Sequence, residues 1–323
     1  MSADSTSNPS TGEFGSSAPT SVAPSESAAP PSATPVGMGQ VLEHVRKTKE
    51  PGVPHAVEFR HVTKTYNAGT PQAFTAIKDV SFVVTDLPNK GEFICLLGAS
   101  GCGKSTILRL IAGLEPQHPP TSGEVLVHDQ PVTGPGADRG MVFQDYTSFD
   151  HRSVLENITF GLECCGVGRR ERDELGRQWI GHVGLDVATD AEKYPHELSG
   201  GMLQRVAIAR TLILAPRIIL MDEPFGALDP QTRMNVQDLL MKLWREVEST
   251  VFFVTHSIEE AVFLGDRIYI MGHGPGRITQ ELQVEPADRP AKLMQRDPRF
   301  QETVYYIRDT IDRLEQQAKS SVK

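Results

Sequence analysis

The sequence predicts an α/β fold: a largely parallel sheet into which a helical subdomain is inserted. Short apolar segments with strand character alternate with segments of helical periodicity through most of the chain. Such alternation is typical of parallel sheets, because successive parallel strands need a crossover that is usually a helix. Between residue 153 and about residue 214 the signals are helical only, and this interruption indicates a subdomain.

The strands are predicted from short runs of apolar or alternating residues. They cover residues 57–62, 77–84, 92–97, 123–127, 140–143, 218–221, 251–254 and 268–271. The segment 92–97 runs into a glycine-rich loop, after which apolar residues take helical spacing until Gly113. We therefore expect a strand–loop–helix unit early in the sheet.

Capping residues mark three helix starts. Ser153 and Glu156 form a capping-box pattern at the start of the helical block, and Ser257 and Glu260 form a second one. Asp229 precedes a proline, which is the order expected of an N-cap followed by the first helical residue. We expect helices to begin at these three places.

The two ends of the chain differ in composition. Residues 1–54 are rich in Ser, Pro and Ala and are predicted to form a disordered tail, since they cannot bury enough apolar surface to offset their ordering entropy. Deleting residues 1–50 is expected to leave folding and activity intact. Residues 286–323 are predicted to form a C-terminal helical tail that packs on the domain. Its apolar residues at helical spacing are Phe300, Val304, Ile307, Ile311 and Leu314.

The bulk composition argues against several classes of function. The formal net charge of −9 over 323 residues disfavours nucleic acid as a partner, which normally needs a concentrated basic face. No segment approaches the roughly 18 apolar residues of a membrane-spanning helix, and the N-terminus lacks the pattern of a signal peptide. The four cysteines show no zinc-ligand spacing, and reduced thiols are expected.

Residues 98–106 read Gly-Ala-Ser-Gly-Cys-Gly-Lys-Ser-Thr and match a phosphate-binding loop between a strand and a helix. The glycines let backbone N–H groups turn toward phosphate oxygens, and the helix N-terminus adds a favourable dipole. Lys104 is expected to reach the β- and γ-phosphates of ATP, and the Ser105 hydroxyl to ligate Mg²⁺. The predicted nucleotide-binding residues here are Gly98, Ala99, Ser100, Gly101, Cys102, Gly103, Lys104, Ser105 and Thr106.

One residue of this loop also carries a prediction about reactivity. Cys102 lies at a helix N-terminus, which favours the thiolate. We therefore expect alkylation of Cys102 to inhibit the protein.

A pair of acids follows the apolar strand 218–221. The carboxyl ends of parallel strands are where α/β folds bind ligands. Asp222 suits the coordination sphere of Mg²⁺, and Glu223 can act as a general base toward an attacking water. Together with the phosphate loop, these acids predict nucleotide hydrolysis.

Residues 198–202 read Leu-Ser-Gly-Gly-Met and begin a predicted helix. Ser199 and the two glycines make a second anion-binding helix N-terminus, for which a chain with one phosphate loop has no obvious use. The segment resembles the signature motif of the ATP-binding cassette (ABC) ATPases, which contacts the γ-phosphate bound by the opposite subunit. By this resemblance the nucleotide-contacting residues are Leu198, Ser199, Gly200, Gly201 and Met202.

Further segments fall in the order of the same family. Gln144 resembles the Q-loop glutamine, which senses Mg²⁺, and Asp229 ends a segment similar to the D-loop, which crosses the dimer interface. His256 resembles the switch histidine that contacts the γ-phosphate, and Tyr66 stands where an aromatic residue stacks on adenine. The resemblance implies catalysis by Lys104, Gln144, Glu223 and His256 and Mg²⁺ ligation by Ser105, Gln144 and Asp222.

The resemblance covers roughly residues 56–280 and implies a complete architecture. It predicts a P-loop ABC ATPase core at residues 55–285, with an antiparallel β-subdomain and a helical subdomain at about 145–210. Two copies should close head to tail around two Mg-ATP. Separate integral membrane permease subunits should dock near Gln144 and the helical insert, and a periplasmic or extracellular solute-binding protein should act indirectly. The chain would lie at the cytoplasmic face of the membrane.

Within the family, the chain is most similar to ATPase subunits of nitrate/sulfonate/taurine-type importers. The residues behind this are Met202, Val-Phe-Gln-Asp-Tyr at 142–146 and Gly-Pro-Gly-Arg-Ile at 274–278. Residues 149–151 read Phe-Asp-His where such subunits often have Phe-Pro-Trp. Two alternatives stay open: a soluble ABC ATPase of iron–sulfur cluster assembly and an export ABC system. ABC ATPases of DNA repair are disfavoured, because they place long coiled coils where this chain has about 90 residues.

Overall fold

The computed structural model describes residues 55–321, apart from residues 87–90, 146, 248, 273 and 286. The tail predicted at residues 1–54 lies outside the described residues. None of the helices in the described part of the chain combines the length and the apolar character that a bilayer crossing requires.

The strands are β1 (His55–Tyr66), β2 (Phe74–Thr85), β3 (Phe93–Leu97), β4 (Ser122–Val127), β5 (Gln130–Pro131), β6 (Arg139–Val142), β7 (Ile218–Asp222), β8 (Thr250–Thr255), β9 (Arg267–Gly272) and β10 (Arg277–Gln283). They form two sheets. One is antiparallel with the order β2–β1–β4–β5, and the other has the order β10–β9–β3–β8–β7–β6. In the six-stranded sheet every neighbouring pair is parallel except β9 and β10. The predicted parallel sheet and antiparallel β-subdomain are both confirmed.

The helices are α1 (Lys104–Ala112), α2 (Val154–Cys164), α3 (Arg169–His182), α4 (Val187–Asp190), α5 (Gly200–Leu212), α6 (Pro230–Val247), α7 (Ile258–Leu264), α8 (Ala291–Met294) and α9 (Pro298–Ser321). A single 3₁₀ turn covers Pro195–Glu197. Helices α2 to α5 follow one another between β6 and β7, in the stretch where the sequence shows helical signals only.

The central parallel strands are buried on both faces, and their side chains divide between two layers. In β7, Ile219 and Met221 join the apolar cluster that contains residues of α5 and α6. Ile218 and Leu220 join the cluster formed with α1 and the antiparallel sheet. A strand covered on both sides needs apolar residues at every position, which explains its continuous apolar run.

Strand β10 was not predicted from the sequence. Its side chains alternate between exposed and half-buried positions at the edge of the six-stranded sheet. An edge strand with one open face requires few apolar residues, so it gives a weak sequence signal.

One of the two predicted capping boxes forms in full. The Ser153 hydroxyl accepts a hydrogen bond from the backbone N–H of Glu156, whose carboxylate accepts one from the N–H of Ser153. At α7 only the first half forms, because Ser257 accepts from the N–H of Glu260 while the Glu260 carboxylate accepts from Thr255 instead. The prediction of a second capping box was therefore wrong in its reciprocal half.

The C-terminal helix α9 packs on the domain, as its spacing predicts. Phe300, Val304 and Ile307 are buried in the same cluster as residues of α7 and β9. The guanidinium of Arg308 lies 3.0 Å from the Glu259 carboxylate of α7. Helix α9 therefore covers the helix that follows the predicted switch histidine.

Candidate functional site

Several of the predicted site residues directly follow the carboxyl ends of the parallel strands. The last residues of β3 and β8 are paired with each other, and the last residue of β7 is paired with the next-to-last residue of β8. Gly98, Glu223 and His256 directly follow these three strands. Gln144 is exposed in the turn after β6, the neighbour of β7. The strand register thus places the phosphate loop, the acids and the histidine side by side.

The phosphate loop is closed by its own lysine. The Lys104 ammonium donates hydrogen bonds to the backbone oxygens of Gly98 at 2.8 Å and Ala99 at 3.1 Å. Gly103 has φ +95°, and a Cβ there would collide with the Ile77 side chain. The loop therefore requires glycine immediately before Lys104, where the chain turns into α1.

Two side chains with oxygen atoms suited to a hard cation lie together at the start of α1. The Ser105 hydroxyl donates a hydrogen bond of 2.7 Å to Asp222 Oδ1, and Arg109 Nη2 lies 3.6 Å from Asp222 Oδ2. Burial raises the pKa of Asp222, while the Ser105 hydrogen bond and the Arg109 charge act in the opposite direction. A hydroxyl and a buried carboxylate side by side fit Mg²⁺, which prefers oxygen ligands.

Glu223 lies between the lysine and the histidine. Its Oε2 is 3.1 Å from His256 Nδ1, and its Oε1 is 3.9 Å from Lys104 Nζ. The backbone of Glu223 has φ +45°, a strained region for a residue with a side chain, and its N–H donates to the oxygen of Val254 at 3.0 Å. The strand end thus holds this carboxylate at the phosphate loop.

Tyr66 lies against the first turn of α1. Its hydroxyl is 3.4 Å from Thr106 Oγ1, and the Lys64 ammonium lies 5.6 Å from its ring centre. The end of β1 therefore brings an aromatic ring next to the phosphate loop.

The signature segment does not join this cluster. Ser199 is exposed and caps α5, with its hydroxyl accepting a hydrogen bond of 3.3 Å from the N–H of Met202. Among the described residues, no hydrogen bond or ion pair connects residues 198–202 to the phosphate loop. A Cβ added to Gly201 would lie 2.6 Å from Thr232 Cγ2, so the start of α5 touches the start of α6. Asp229 caps α6, and its hydrogen bonds with Thr232 lower the pKa of Asp229.

The structure contradicts the expectation for Cys102. Only 1% of this residue is exposed, and its sulfur packs in the apolar cluster between α1 and the antiparallel sheet. Burial raises the pKa of Cys102, and this effect outweighs the nearby Lys104 charge. The thiol is therefore a buried core group with a raised pKa, although its backbone belongs to the phosphate loop.

Two functional features were missed in the sequence. Arg109 stands four residues after Ser105, on the same face of α1, and this spacing could have identified it as a partner of the same carboxylate. The hydrogen bond between Thr255 and Glu260 had no such signal, since a capping box explains the pattern of Ser257 and Glu260 equally well.

Comparison with known proteins settles the family. Residues 78–226 match the family model described as ABC transporter. The chain is 45% identical over 239 residues to the nitrate import ATP-binding protein NrtD of Synechocystis sp., covering 72% of this chain and 86% of that protein. The chain belongs to the ABC transporter family. It is an ATP-binding protein and an ATPase of that family.

Other relatives support the assignment to the ABC transporter family. An uncharacterized ABC transporter ATP-binding protein, MJ0412 of Methanocaldococcus jannaschii, is 53% identical over 203 residues, or 62% of this chain and 74% of that protein. The taurine import ATP-binding protein TauB of Rhizobium johnstonii is 43% identical over 253 residues, or 77% of this chain and 93% of that protein. A dimeric structure of the ATP-binding cassette MJ0796 bound to ADP and Pi is similar with a TM-score of 0.60 and 34% identity, covering 71% of this chain and 99% of that one. The predicted ABC ATPase fold is thus confirmed.

Proposed function

We propose that this ABC ATPase drives the import of a small solute through separate membrane subunits, and that it works as a head-to-tail dimer. The observation that carries the proposal is the meeting of Glu223 with Lys104 and His256 beside the Ser105–Asp222 pair. These five side chains, to which we assign the phosphoryl transfer to water, lie at the carboxyl ends of the parallel strands or in the loop and helix start that follow β3.

The hydrolytic roles follow from this geometry. Lys104 and the N–H groups of residues 98–106 bind the β- and γ-phosphates, and Tyr66 stacks on the adenine. Glu223 accepts the proton of the attacking water, and His256 orients that carboxylate and contacts the γ-phosphate. Ser105, Gln144 and Asp222 would hold Mg²⁺, which neutralises charge on the phosphates when bound.

The dimer follows from the signature segment. Ser199 and the N–H groups of Gly200 and Gly201 form an exposed helix N-terminus that suits a phosphate. Within the described residues this segment makes no hydrogen bond or ion pair with the phosphate loop of its own chain, and we assign it to the nucleotide of a second copy. The dimeric cassette MJ0796 supports the assignment.

The transport role is supported by the relatives named for nitrate and taurine import. We propose a nitrate-, sulfonate- or taurine-like anion as the solute. The ATPase domain would cover residues 55–285, with a helical subdomain at about 145–210 that meets the permease near Gln144, and a C-terminal helical tail at 286–323. The chain would lie at the cytoplasmic face of the membrane, and a solute-binding protein would act on the other side.

The catalytic roles are tested by replacing Glu223 with Gln. This keeps the shape of the side chain but removes its capacity as a base, so kcat should fall by about 10²- to 10⁴-fold while ATP still binds. Glu281→Gln is the matched control, because that carboxylate is half-exposed and pairs with Arg267 on the strands β9 and β10, away from the site. An undiminished kcat in Glu223→Gln removes the proposed base.

The transport role is tested in cells that lack this chain. Uptake of labelled nitrate and taurine should be lost, restored by the wild-type chain and not restored by Glu223→Gln. The wild-type chain should also co-purify with a multi-span membrane protein. Restored efflux instead of uptake indicates an exporter, and purification without any membrane subunit supports a soluble ABC ATPase.

A further inference from the structure

We propose that Glu260 is a positioning residue of the hydrolytic site. Its carboxylate fixes the backbone on both sides of His256 and connects this backbone to residues 227–229. This inference rests on the proposed function, because His256 receives its role there. The evidence lies in a chain of polar contacts behind the site, within the described residues.

The first contacts are buried. Glu260 Oε2 accepts a hydrogen bond of 2.6 Å from the Thr255 hydroxyl, and Glu260 Oε1 accepts one of 3.2 Å from Gln237 Nε2. The three residues are 8%, 2% and 4% exposed, respectively. Buried hydrogen bonds to a carboxylate have good geometry only when their partners are held in place, so this carboxylate constrains both β8 and α6.

The Thr255 hydroxyl holds both neighbours of the histidine. It belongs to the residue before His256, and it also accepts a hydrogen bond of 3.0 Å from the N–H of Ser257, the residue after. His256 itself is exposed, and its side chain contacts Glu223 across the site. The Glu260–Thr255 bond therefore sets the direction in which His256 leaves β8.

The Glu260 carboxylate is also connected, through Arg233, to the segment that ends in Asp229. Arg233 Nε lies 3.7 Å from Glu260 Oε1, and the Arg233 guanidinium donates a hydrogen bond of 3.0 Å to the backbone oxygen of Leu228. In the described residues Arg233 Nε is buried and makes no hydrogen bond, so Glu260 supplies its nearest negative charge. A series of contacts thus runs from the backbone of Leu228 through Arg233 and the Glu260 carboxylate to Thr255, the residue before His256.

A structural role at the helix start does not account for this arrangement. Helix α7 is already capped by Ser257, and the Glu260 carboxylate does not return to the N–H of Ser257 as a capping box requires. Burying a carboxylate costs solvation, and this cost is offset only where the charge is paired. The pairing here serves the two segments that flank the hydrolytic site.

The test measures ATP hydrolysis by the purified full-length chain. Thr255→Val keeps the shape of the side chain but removes the hydroxyl, and Thr255→Ser keeps the hydroxyl. We expect Thr255→Val and Glu260→Ala to lower kcat by about 10- to 100-fold with little change in KM for ATP, because they misplace His256 without touching nucleotide. Thr255→Ser should restore most of the rate, and Glu281→Ala, on the edge strand β10, should stay within about threefold of wild type.

A double-mutant cycle separates positioning from packing. Adding Glu260→Ala to His256→Ala should cost less than about threefold beyond His256→Ala alone, since Glu260 acts through the histidine. The inference is overturned if the losses of kcat in Glu260→Ala and His256→Ala multiply in the double variant. It is also overturned if Thr255→Val has the kcat of the wild type. If Glu260→Ala does not fold, the Thr255→Val and Thr255→Ser pair decides.

The failure of the proposed function is recognisable separately. If His256→Ala hydrolyses ATP at the wild-type rate, the role of the histidine fails and the inference fails with it. If His256→Ala is slow while Thr255→Val is normal, only the positioning role of Glu260 is wrong.

Discussion

At the scale of single residues, the site is organised around shared carboxylates. Glu223 faces Lys104 with one oxygen and His256 with the other. Asp222 likewise receives the Ser105 hydroxyl on one oxygen and faces Arg109 with the other. Glu223 thus links two segments that are far apart in sequence, and Asp222 ties the end of β7 to α1. Loss of either acid leaves two partners without their counter-charge or acceptor.

The aromatic residue near the phosphate loop gives the first prediction. Tyr66→Ala should weaken ATP binding by about 10-fold with little change in kcat, because stacking acts equally on substrate and transition state. Tyr66→Phe is the control and should bind ATP almost normally, since it loses only the 3.4 Å contact with Thr106. Equilibrium binding of a fluorescent ATP analogue and steady-state kinetics measure the two effects. A lower kcat at unchanged affinity would contradict the stacking role.

The cysteines give the second prediction. Burial raises the pKa of both Cys95 and Cys102, whereas Cys164 and Cys165 are exposed. A thiol reagent should therefore modify the two exposed cysteines first and Cys102 at least about tenfold more slowly. Mass spectrometry of peptides over a time course measures the order. Early modification of Cys102 that Mg-ATP prevents would show that its thiol faces the nucleotide.

The sequence predicts the groups whose spacing is local and leaves out those that only the fold assembles. Lys104 and Ser105 could be assigned because their loop imposes a fixed pattern of glycines. The spacing from Ser105 could have pointed to Arg109, but its contact with Asp222 also depends on how α1 lies over β7. Cys102 was misjudged for the related reason that position in a loop does not tell which side chain turns inward.

At the scale of elements, the strands covered on both faces were all predicted, whereas of the four edge strands β2 and β6 were predicted and β5 and β10 were not. The apolar runs of β3, β7 and β8 identify them as central strands. The edge strand β10 has few buried residues and escaped notice. Helix starts were predicted through Ser153 and Asp229, but the partner of Glu260 depends on tertiary contacts.

Helix α9 gives the third prediction. Ile307 is fully buried against the cluster that includes α7, while its neighbour Tyr306 is 50% exposed. Ile307→Ala should lower the free energy of unfolding by about 2–5 kcal/mol, because it removes a packed side chain and leaves a cavity. Tyr306→Ala should cost less than about 1 kcal/mol. Urea denaturation followed by circular dichroism compares them, and equal effects would contradict the packing of α9.

At the scale of the whole molecule, the proposal that a second copy completes the site can be tested directly. The fourth prediction is that Glu223→Gln forms a stable dimer in Mg-ATP and a monomer without nucleotide, because uncleaved ATP is gripped by both chains. Size-exclusion chromatography with light scattering measures the mass. In Mg-ADP the same variant should remain a monomer, since the γ-phosphate is missing.

A second substitution locates the contact between the copies. Adding Ser199→Arg to Glu223→Gln should abolish the dimer, since a bulky cation blocks the exposed start of α5. A Glu223→Gln chain that binds ATP tightly yet stays monomeric at high concentration contradicts the head-to-tail arrangement. A dimer that survives Ser199→Arg shows that the copies meet through another surface.

The two ends of helix α5 contact different segments of the chain. Ser199 caps one end, and Arg210 in the last turn donates a hydrogen bond of 2.8 Å to the backbone oxygen of Thr147 and lies 5.4 Å from the Phe149 ring. The 13 residues of this helix form a rod about 20 Å long. Because a helix is stiff, a tilt of about 10° about the Ser199 end moves Arg210 by about 3 Å. The loop at 147–149 is tied to that end, so under the proposed contact of Ser199 with a phosphate, a tilt of the helix would displace this loop.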